Sequence, residues 1–222
     1  MNRATAGVPV EEVTVAVEAG AEIFPGDLKL PFHAKGLVIF AHGSGSSRRS
    51  PRNRFVADVL GDSGLGTLLV DLLTPAEEHD RTNVFDVELL GQRLLEVTRW
   101  IYGRDEARAL PLGYFGASTG AAAALVAAAK STVPIGAVVS RGGRPDLAGD
   151  RLAGVTAPTL LLVGGLDPIV LELNRAALAR LPGEKRLEII PGATHLFEER
   201  GTLEAVAAYA ADWFNRFLGA LP

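Results

Sequence analysis

Apolar runs of strand length recur along this chain, and turn-forming residues separate them. Such runs, bounded by glycine, proline, asparagine or aspartate, are typical of β-strands. The second run contains Pro25-Gly26, and we expect that strand to break there. The runs predict roughly eight strands, at Val13–Val17, Ala21–Leu30, Leu37–Ala41, Thr67–Asp71, Leu112–Phe115, Ile135–Val139, Thr159–Val163 and Arg186–Ile190.

Between these runs, apolar residues recur every three or four positions, which is the period of a helix with one buried face. Helices that alternate with apolar strands indicate a mostly parallel sheet covered on both faces. We therefore predict an α/β fold, a three-layer sandwich around the sheet. The stretch between Val139 and Thr159 has room for one short helix at most, so no separate lid domain is expected. The predicted helices are 51–60, 83–102, 119–130, 168–181 and 203–218.

Length and composition narrow the class of protein. The 222 residues fit one domain, and a net charge of -4 gives no reason to expect nucleic acid or an anionic membrane as partner. The absence of cysteine excludes disulfides, thiolate metal sites and a cysteine nucleophile. No secretory signal is visible, and the apolar run 121–129 is too short to cross a bilayer. We expect a single domain over 1–222, with residues 1–10 flexible, acting as a cytoplasmic monomer or homodimer.

The segment Gly116–Gly120 fits the pattern G-x-S-x-G and lies between a predicted strand and a predicted helix. A sharp turn in that context exposes the hydroxyl of Ser118, and the flanking glycines allow close backbone approach. The N-terminus of the following helix favours an oxyanion. One alternative is that Ser118 is a helix N-cap. Another is a phosphate cradle, although the chain lacks both the P-loop and the dinucleotide-binding spacing.

Two further residues follow predicted strands downstream of this turn. Asp167 comes just after 159–163, at the edge where open α/β sheets assemble their sites, although Asp167-Pro168 is also a good helix start. Among the four histidines, His195 is the one that follows a strand downstream of both Ser118 and Asp167. The order Ser118, Asp167, His195 favours a catalytic triad, in which His195 takes the hydroxyl proton and Asp167 orients the imidazole.

The glycine-rich turn His42–Ser47 ends another predicted strand, and it can direct a backbone amide at the nucleophile. We expect the backbone amides of Ser44 and Thr119 to form the oxyanion hole. We expect His42 to brace this loop by a hydrogen bond.

Arginines fall in two loops at the same predicted edge of the sheet, Arg48 with Arg49 and Arg141 with Arg144. Because arginine binds carboxylates bidentately, we expect Arg141 above all, and Arg48, to contact an acidic or polar acyl group. The alternative is that these arginines pair with acidic residues of the chain or are solvated. The acidic segment 77–80 reads as a solvated loop, and no metal or cofactor is expected.

Together these motifs resemble the α/β-hydrolase superfamily over nearly the full chain, and its small, lidless dienelactone hydrolase-like branch. Dienelactone hydrolases use a cysteine as nucleophile, whereas this chain has Ser118. The resemblance therefore implies a serine esterase that cleaves carboxylic esters of small soluble substrates through an acyl-enzyme. Alternatives are an acyltransferase or perhydrolase with the same triad, and a non-catalytic ligand-binding protein of this fold. The segments that carry the resemblance are 42–45, 116–120, 165–168 and 192–197.

Overall fold

A computed structural model describes residues 10–219 of the chain. An eight-stranded sheet with helices on both faces confirms the predicted three-layer α/β architecture. Residues 1–10 are expected to be flexible, and all of them except Val10 lie outside the described residues. No helix between residues 10 and 219 is long and apolar enough to cross a membrane.

The strands of the sheet are β1 (Val10–Ala19), β2 (Glu22–Pro31), β3 (Leu37–Ala41), β4 (Gly66–Val70), β5 (Leu112–Ala117), β6 (Ile135–Arg141), β7 (Thr159–Gly164) and β8 (Lys185–Ile190). Their order is β1-β2-β4-β3-β5-β6-β7-β8. β1 and β2 pair antiparallel, β2 is antiparallel to β4, and all neighbours from β4 to β8 are parallel. The carboxyl ends of six strands therefore meet along one edge of the sheet.

Helices cover both faces of this sheet: α1 (Pro51–Asp62), α2 (Pro75–Glu78), α3 (Arg81–Phe85), α4 (Val87–Tyr102), α5 (Thr119–Lys130), α6 (Pro168–Arg180) and α7 (Thr202–Leu218). A 3₁₀ segment, Pro145–Gly154, follows β6. Val139 of β6 packs in the core between the sheet and helices α1 and α7. Val138 packs in the core on the opposite face, with helices α4, α5 and α6. Neighbouring residues of one strand thus enter different cores, as the strand period of two requires.

The alanine-rich helix α5 is a buried packing element. Its residues from Thr119 to Ala127 are buried, and a Cβ on Gly91 of α4 would lie 2.7 Å from the Val126 side chain. Small side chains let α4, α5 and the sheet approach closely, and this close packing fixes the helix that begins directly after Ser118.

The described strand β2 continues through Pro25-Gly26, where the sequence predicts a break. The carbonyl of Pro25 faces β4 and accepts a hydrogen bond from Asp71, while the β2–β4 ladder begins at Gly26. Because Pro25 lies at the end of the β2–β4 ladder, its lack of an N–H group leaves all hydrogen bonds inside the ladder intact.

The predicted helix 83–102 is divided into α3 and α4 at Asp86. Asp86 has a ψ of 89°, and its carboxylate accepts hydrogen bonds from the amides of Glu88 and Leu89 at 3.1 and 2.9 Å. The aspartate thus ends one helix and caps the next, because its side chain competes with helical hydrogen bonding. This break leaves α2 and α3 as a small separate unit near the carboxyl edge of the sheet.

Candidate active site

Ser118 sits at the turn between β5 and α5 in a backbone conformation that side chains rarely adopt. Its φ of 53° and ψ of -121° are strained for a residue other than glycine. A Cβ on Gly116 would collide with the backbone of Ala121, and a Cβ on Gly120 would collide with the carbonyl of Ala41. Both glycines of the motif are therefore required by backbone contact across the turn.

The Ser118 side chain makes no capping hydrogen bond to α5, although the residue occupies the N-cap position. The alternative that Ser118 serves as a helix cap therefore has no support in the geometry. Its amide donates to the carbonyl of Arg141 at 3.1 Å, and its carbonyl accepts from the amide of Arg144 at 3.2 Å. The backbone around the serine is held on both sides while the half-buried hydroxyl stays available.

Asp167 and His195 form a direct hydrogen-bonded pair. Nδ1 of His195 lies 2.7 Å from Oδ2 of Asp167. Asp167 occupies the N-cap position of α6, yet its side chain makes no capping bond there. The carboxylate is 15% exposed and the imidazole 40% exposed, so the acid is shielded and the histidine can reach a ligand.

The loops that carry this pair are tied together by their backbones. The amide of Leu166 donates to the carbonyl of Ala193 at 2.9 Å, and a Cβ on Gly164 would collide with that same carbonyl. Thr194, which directly precedes His195, donates hydrogen bonds from both its amide and its hydroxyl to the Glu199 carboxylate. These hydrogen bonds lower the pKa of Glu199. The loop therefore holds His195 in place with local contacts.

His195 lies over the end of β6, beside the nucleophile turn. A Cβ on Gly142 would be 3.6 Å from Cε1 of His195, and the preceding residue, Arg141, accepts the hydrogen bond of the Ser118 amide. The imidazole thus lies against Gly142, and the Ser118 amide is bound to the residue before it, at the end of β6. Ser118 and His195 therefore lie on neighbouring loops at the carboxyl edge of the sheet.

The glycine-rich turn His42–Ser47, called the oxyanion loop after its expected role, packs directly on the turn that carries Ser118. A Cβ on Gly43 would lie 3.1 Å from Cβ of Ser118. The amide of Ser44 donates to Oγ1 of the buried Thr119 at 2.9 Å. The two residues expected to supply oxyanion donors are therefore brought together, but the Ser44 amide already has a partner. The Thr119 amide, in the first turn of α5, has no backbone acceptor in the described chain.

His42 is buried and braces this loop, as expected. Its Nε2 accepts from the amide of Leu72 at 3.3 Å, so Nδ1 carries the proton and donates to the Gly43 carbonyl at 3.1 Å. The imidazole links the ends of β3 and β4 and supports the backbone against which Ser118 packs.

The arginines predicted to contact substrate differ in their surroundings. Arg48 is bound by its own fold: its guanidinium lies 2.6 Å from Asp71 and its amide donates to the same carboxylate at 2.7 Å. This pairing fits the alternative that Arg48 is engaged by an acidic residue of the chain, and the substrate contact at Arg48 stays a prediction. Arg144 pairs bidentately with Asp146. Arg141 is buried and has no ion pair among the described residues.

A cavity of about 500 Å³ opens beside the oxyanion loop. Residues 42–47 line one wall, and α2 and α3 supply Glu78, Arg81, Val84 and Phe85. Sequence reasoning missed this wall because it merged α3 with α4. The Asp80 carboxylate accepts from the Thr82 amide at the start of α3, and that capping pattern could have revealed the helix.

The described residues contain no group of three or more histidine, aspartate or glutamate side chains placed to hold a metal ion. Within the acidic segment, Glu77 completes a capping box with Thr74 and pairs with Arg93. The acidic residues Glu77 and Asp80 therefore have structural partners.

Comparison with known proteins places this geometry in a family. No protein-family model matches the chain. A dienelactone hydrolase from Anabaena variabilis, known from a crystal structure, is 53% identical with a TM-score of 0.91, covering 94% of this chain and 98% of that one. An esterase domain from Rhodothermus marinus shares the fold at 18% identity and a TM-score of 0.74, covering 95% and 100%.

A relative from Mycobacterium tuberculosis, named provisionally as a phosphoribosyl transferase, is 60% identical over 211 residues. The match covers 95% of this chain but 48% of that protein, so the chain spans about half the length of this relative. The likeness to the dienelactone hydrolase, in contrast, extends over nearly the whole of both chains. The chain belongs to the dienelactone hydrolase-like branch of the α/β-hydrolase superfamily.

Proposed function

We propose that this protein is a serine hydrolase that cleaves carboxylic esters of small soluble substrates through an acyl-enzyme. The observation that carries the proposal is the pair formed by Asp167 and His195. The carboxylate lies at a helix start, where it could cap, but it binds the imidazole instead. Ser118, in a strained turn beside that imidazole, supplies the hydroxyl.

In the proposed reaction, Oγ of Ser118 attacks the ester carbonyl while Nε2 of His195 takes its proton. Asp167 accepts the Nδ1 hydrogen bond and stabilises the imidazolium. The same proton then passes to the alkoxide leaving group, which departs as an alcohol and leaves an acyl-serine. Water, deprotonated by His195, attacks the acyl-serine and releases the carboxylic acid and the free serine.

The oxyanion of each tetrahedral intermediate is proposed to lie at the amides of Thr119 and Ser44, at the N-terminus of α5. Since Thr119 Oγ1 accepts the Ser44 amide hydrogen, the oxyanion would share or displace that bond. Removing one oxyanion donor typically costs about 10²–10³-fold in kcat. The cavity beside this loop, with Val84 and Phe85 on its far wall, would take the apolar part of a substrate.

The test is a fluorophosphonate label read by mass spectrometry, with p-nitrophenyl acetate turnover measured in parallel. We expect one adduct per chain on Ser118, and Ser118→Ala should lose both the adduct and turnover. Ser63→Ala is the matched control, because Ser63 lies at the far end of α1, where its hydroxyl donates to the Leu60 carbonyl. Labelling at another serine, or full turnover in Ser118→Ala, would refute the proposal.

The same triad serves acyl transfer or perhydrolysis when an alcohol or peroxide replaces water, so this reaction is the second candidate. Partition of the acyl group between water and added alcohol or peroxide separates these reactions. A purely ligand-binding role is the remaining alternative, and stoichiometric labelling of Ser118 would exclude it.

The name of the Mycobacterium tuberculosis relative describes a protein of about twice this length. We infer that the half matched here supplies the hydrolase and that any phosphoribosyl transfer belongs to the remainder. Separate assays of the two halves of that relative would test this division. Transferase activity in the matched half would contradict it.

A further inference from the structure

A turn directly after β6, residues 142–144, contacts both the nucleophile turn and the histidine loop. The amide of Arg144 donates to the Ser118 carbonyl at 3.2 Å. A Cβ on Gly142 would lie 3.2 Å from the carbonyl oxygen of His195 and 3.6 Å from Cε1 of its ring. The position of this turn, called the β6 turn, therefore affects how the serine and the imidazole lie relative to each other.

Asn174 joins the β6 turn to the start of α6. Its Nδ2 donates to the Gly143 carbonyl at 2.9 Å and to the Val170 carbonyl at 2.8 Å. Val170 lies in the first turn of α6, three positions after Asp167. One side-chain amide thus links the turn beside the nucleophile to the helix start that carries the candidate acid.

The orientation of the Asn174 side chain follows from its partners. Both are carbonyl oxygens, which only accept hydrogen bonds, so the NH₂ group must face them. The side chain is fully buried, and its Oδ1 has no hydrogen-bond partner among the described residues. Because an unsatisfied buried acceptor costs free energy, an asparagine at this position is best explained by the two hydrogen bonds that it donates.

The β6 turn is closely packed on its other sides. A Cβ on Gly143 would lie 2.6 Å from Cβ of Ala121, in the first turn of α5. The amide of Gly142 donates to the Leu162 carbonyl in β7 at 2.8 Å. Among the hydrogen bonds of the described residues, the one from Asn174 alone connects this turn to α6. The turn is therefore fixed to the nucleophile side by several contacts and to the acid side by one side chain.

We propose that Asn174 is a positioning residue of the hydrolase, which holds the β6 turn against the start of α6 and so fixes the distance from the Ser118 hydroxyl to the His195 imidazole. The inference rests on the proposed hydrolase function. Asn174 acts through the turn and not on the reacting atoms, because its side chain is fully buried. Such support matters, since catalytic groups must be held within about 0.5 Å of the productive geometry.

The first test compares Asn174→Leu with the wild type, well below the melting temperature of either. Leucine has a similar size and donates no hydrogen bond. A misplacement of about 1 Å can cost about 10²-fold in rate, so we expect kcat/KM for p-nitrophenyl acetate and the rate of fluorophosphonate labelling to fall together by about 10–100-fold. Wild-type values of both rates in Asn174→Leu would overturn the proposal.

Thr98→Val is the matched control. Thr98 is buried in α4, and its hydroxyl donates to the carbonyl four positions earlier, that of Leu94, at 2.7 Å. Both variants lose a buried hydrogen bond and should melt at a lower temperature, but Thr98→Val should keep the wild-type kcat/KM and labelling rate. An equal fall in Thr98→Val would mean that lost stability slows the reaction, and the positioning role would be refuted.

The pH dependence of kcat/KM separates a displaced serine from a damaged acid–base pair. If Asn174 positions the serine, the hydrogen bond between Asp167 and His195 survives in Asn174→Leu, and the profile should fall in height while its midpoint stays that of the wild type. A displaced midpoint would show that the substitution disturbs the pair itself, which contradicts the proposed route through the β6 turn.

Asn174→Ser separates the two hydrogen bonds of the side chain. A serine within a helix can donate to the carbonyl four positions earlier, but it is too short to reach Gly143. We expect the same fall in kcat/KM as in Asn174→Leu, and this variant decides the question if the leucine variant does not fold. Wild-type rates in Asn174→Ser refute the positioning role alone. A wild-type protein with neither an adduct on Ser118 nor turnover refutes the hydrolase function, and this proposal with it.

Discussion

Asp167 Oδ2 and His195 Nδ1 lie 2.7 Å apart, although twenty-eight positions separate the residues in the chain. The aspartate has the sequence context of a helix cap, with Pro168 in the first turn of α6. Its side chain makes no capping bond and turns to the histidine instead. A residue that gives up a local stabilising contact for a distant partner is best explained by the role of that partner.

Replacing Asp167 with asparagine should separate the two roles. The Asp167 side chain makes no capping bond and asparagine is equally acceptable at a helix start, so the melting temperature should change little. The neutral amide cannot stabilise the imidazolium and favours the wrong tautomer of His195, so kcat should fall by about 10⁴-fold. Steady-state kinetics with p-nitrophenyl acetate and a thermal melt check both parts. A fall in kcat of less than tenfold would mean that the pair is structural.

The placement of Ser118, Asp167 and His195 at one edge of the sheet could be predicted from sequence because each residue follows an apolar run. Parallel strands bring their carboxyl ends to one edge, so Ser118, Asp167 and His195 could be placed near one another without knowing the strand order. The order of the three residues along the chain then predicted which would act as nucleophile, acid and base. The hydrogen bond from the Ser44 amide to the Thr119 hydroxyl could not be predicted, since it depends on side-chain geometry.

The surroundings of the arginines could not be predicted in the same way. Arg48 meets Asp71 because β3 and β4 are neighbours in the sheet, which the sequence does not state. The burial of Arg141 depends on which face of β6 it occupies and on what α1 brings there. Likewise, the wall formed by Arg81 and Phe85 depends on the helix break at Asp86, which interrupts an otherwise continuous helical period.

Ser118→Gly should stabilise the fold while it abolishes turnover. Ser118 has a φ of 53° and a ψ of -121°, a conformation that costs about 1–3 kcal/mol for a residue with a side chain. Glycine adopts it readily, so we expect a gain of about 1 kcal/mol, or about 2–4 °C in melting temperature for a chain of this size. Ser118→Ala, also inactive, keeps the strain and serves as the control. Equal melting temperatures for the two variants would show that the turn stores no strain.

Gly120→Ala should destabilise the fold severely. A Cβ there would collide with the carbonyls of Ala41 and His42, which are backbone atoms of β3 and its loop and cannot rotate away. We expect a loss of at least about 3 kcal/mol in urea-induced unfolding. Gly61→Ala is the matched control, because a Cβ at that position of α1 has open space around it. There alanine should be neutral or stabilising by about 0.5–1 kcal/mol. Similar effects at the two positions would contradict the close backbone approach at the nucleophile turn.

Arg141→Met should make the protein more stable at neutral pH. Burial and the neighbouring Arg52 lower the pKa of Arg141 to about 10, so the folded state disfavours the charged form. That cost is fully present below pH 10 and is relieved only as the pH rises toward the unfolded value, since deprotonation then removes the buried charge. Methionine fills a similar volume without charge, and replacing buried ionic groups by apolar ones typically stabilises by about 1–4 kcal/mol.

Melting temperatures at pH 7 in a buffer without polyvalent anions check this prediction, with Arg54→Met as the control for net charge. A less stable Arg141→Met would mean that the guanidinium makes favourable contacts within the fold, and would contradict this prediction. Greater stability joined to a fall in kcat/KM for acidic but not for neutral esters would support the expected contact of Arg141 with an acidic acyl group, kept at the expense of stability.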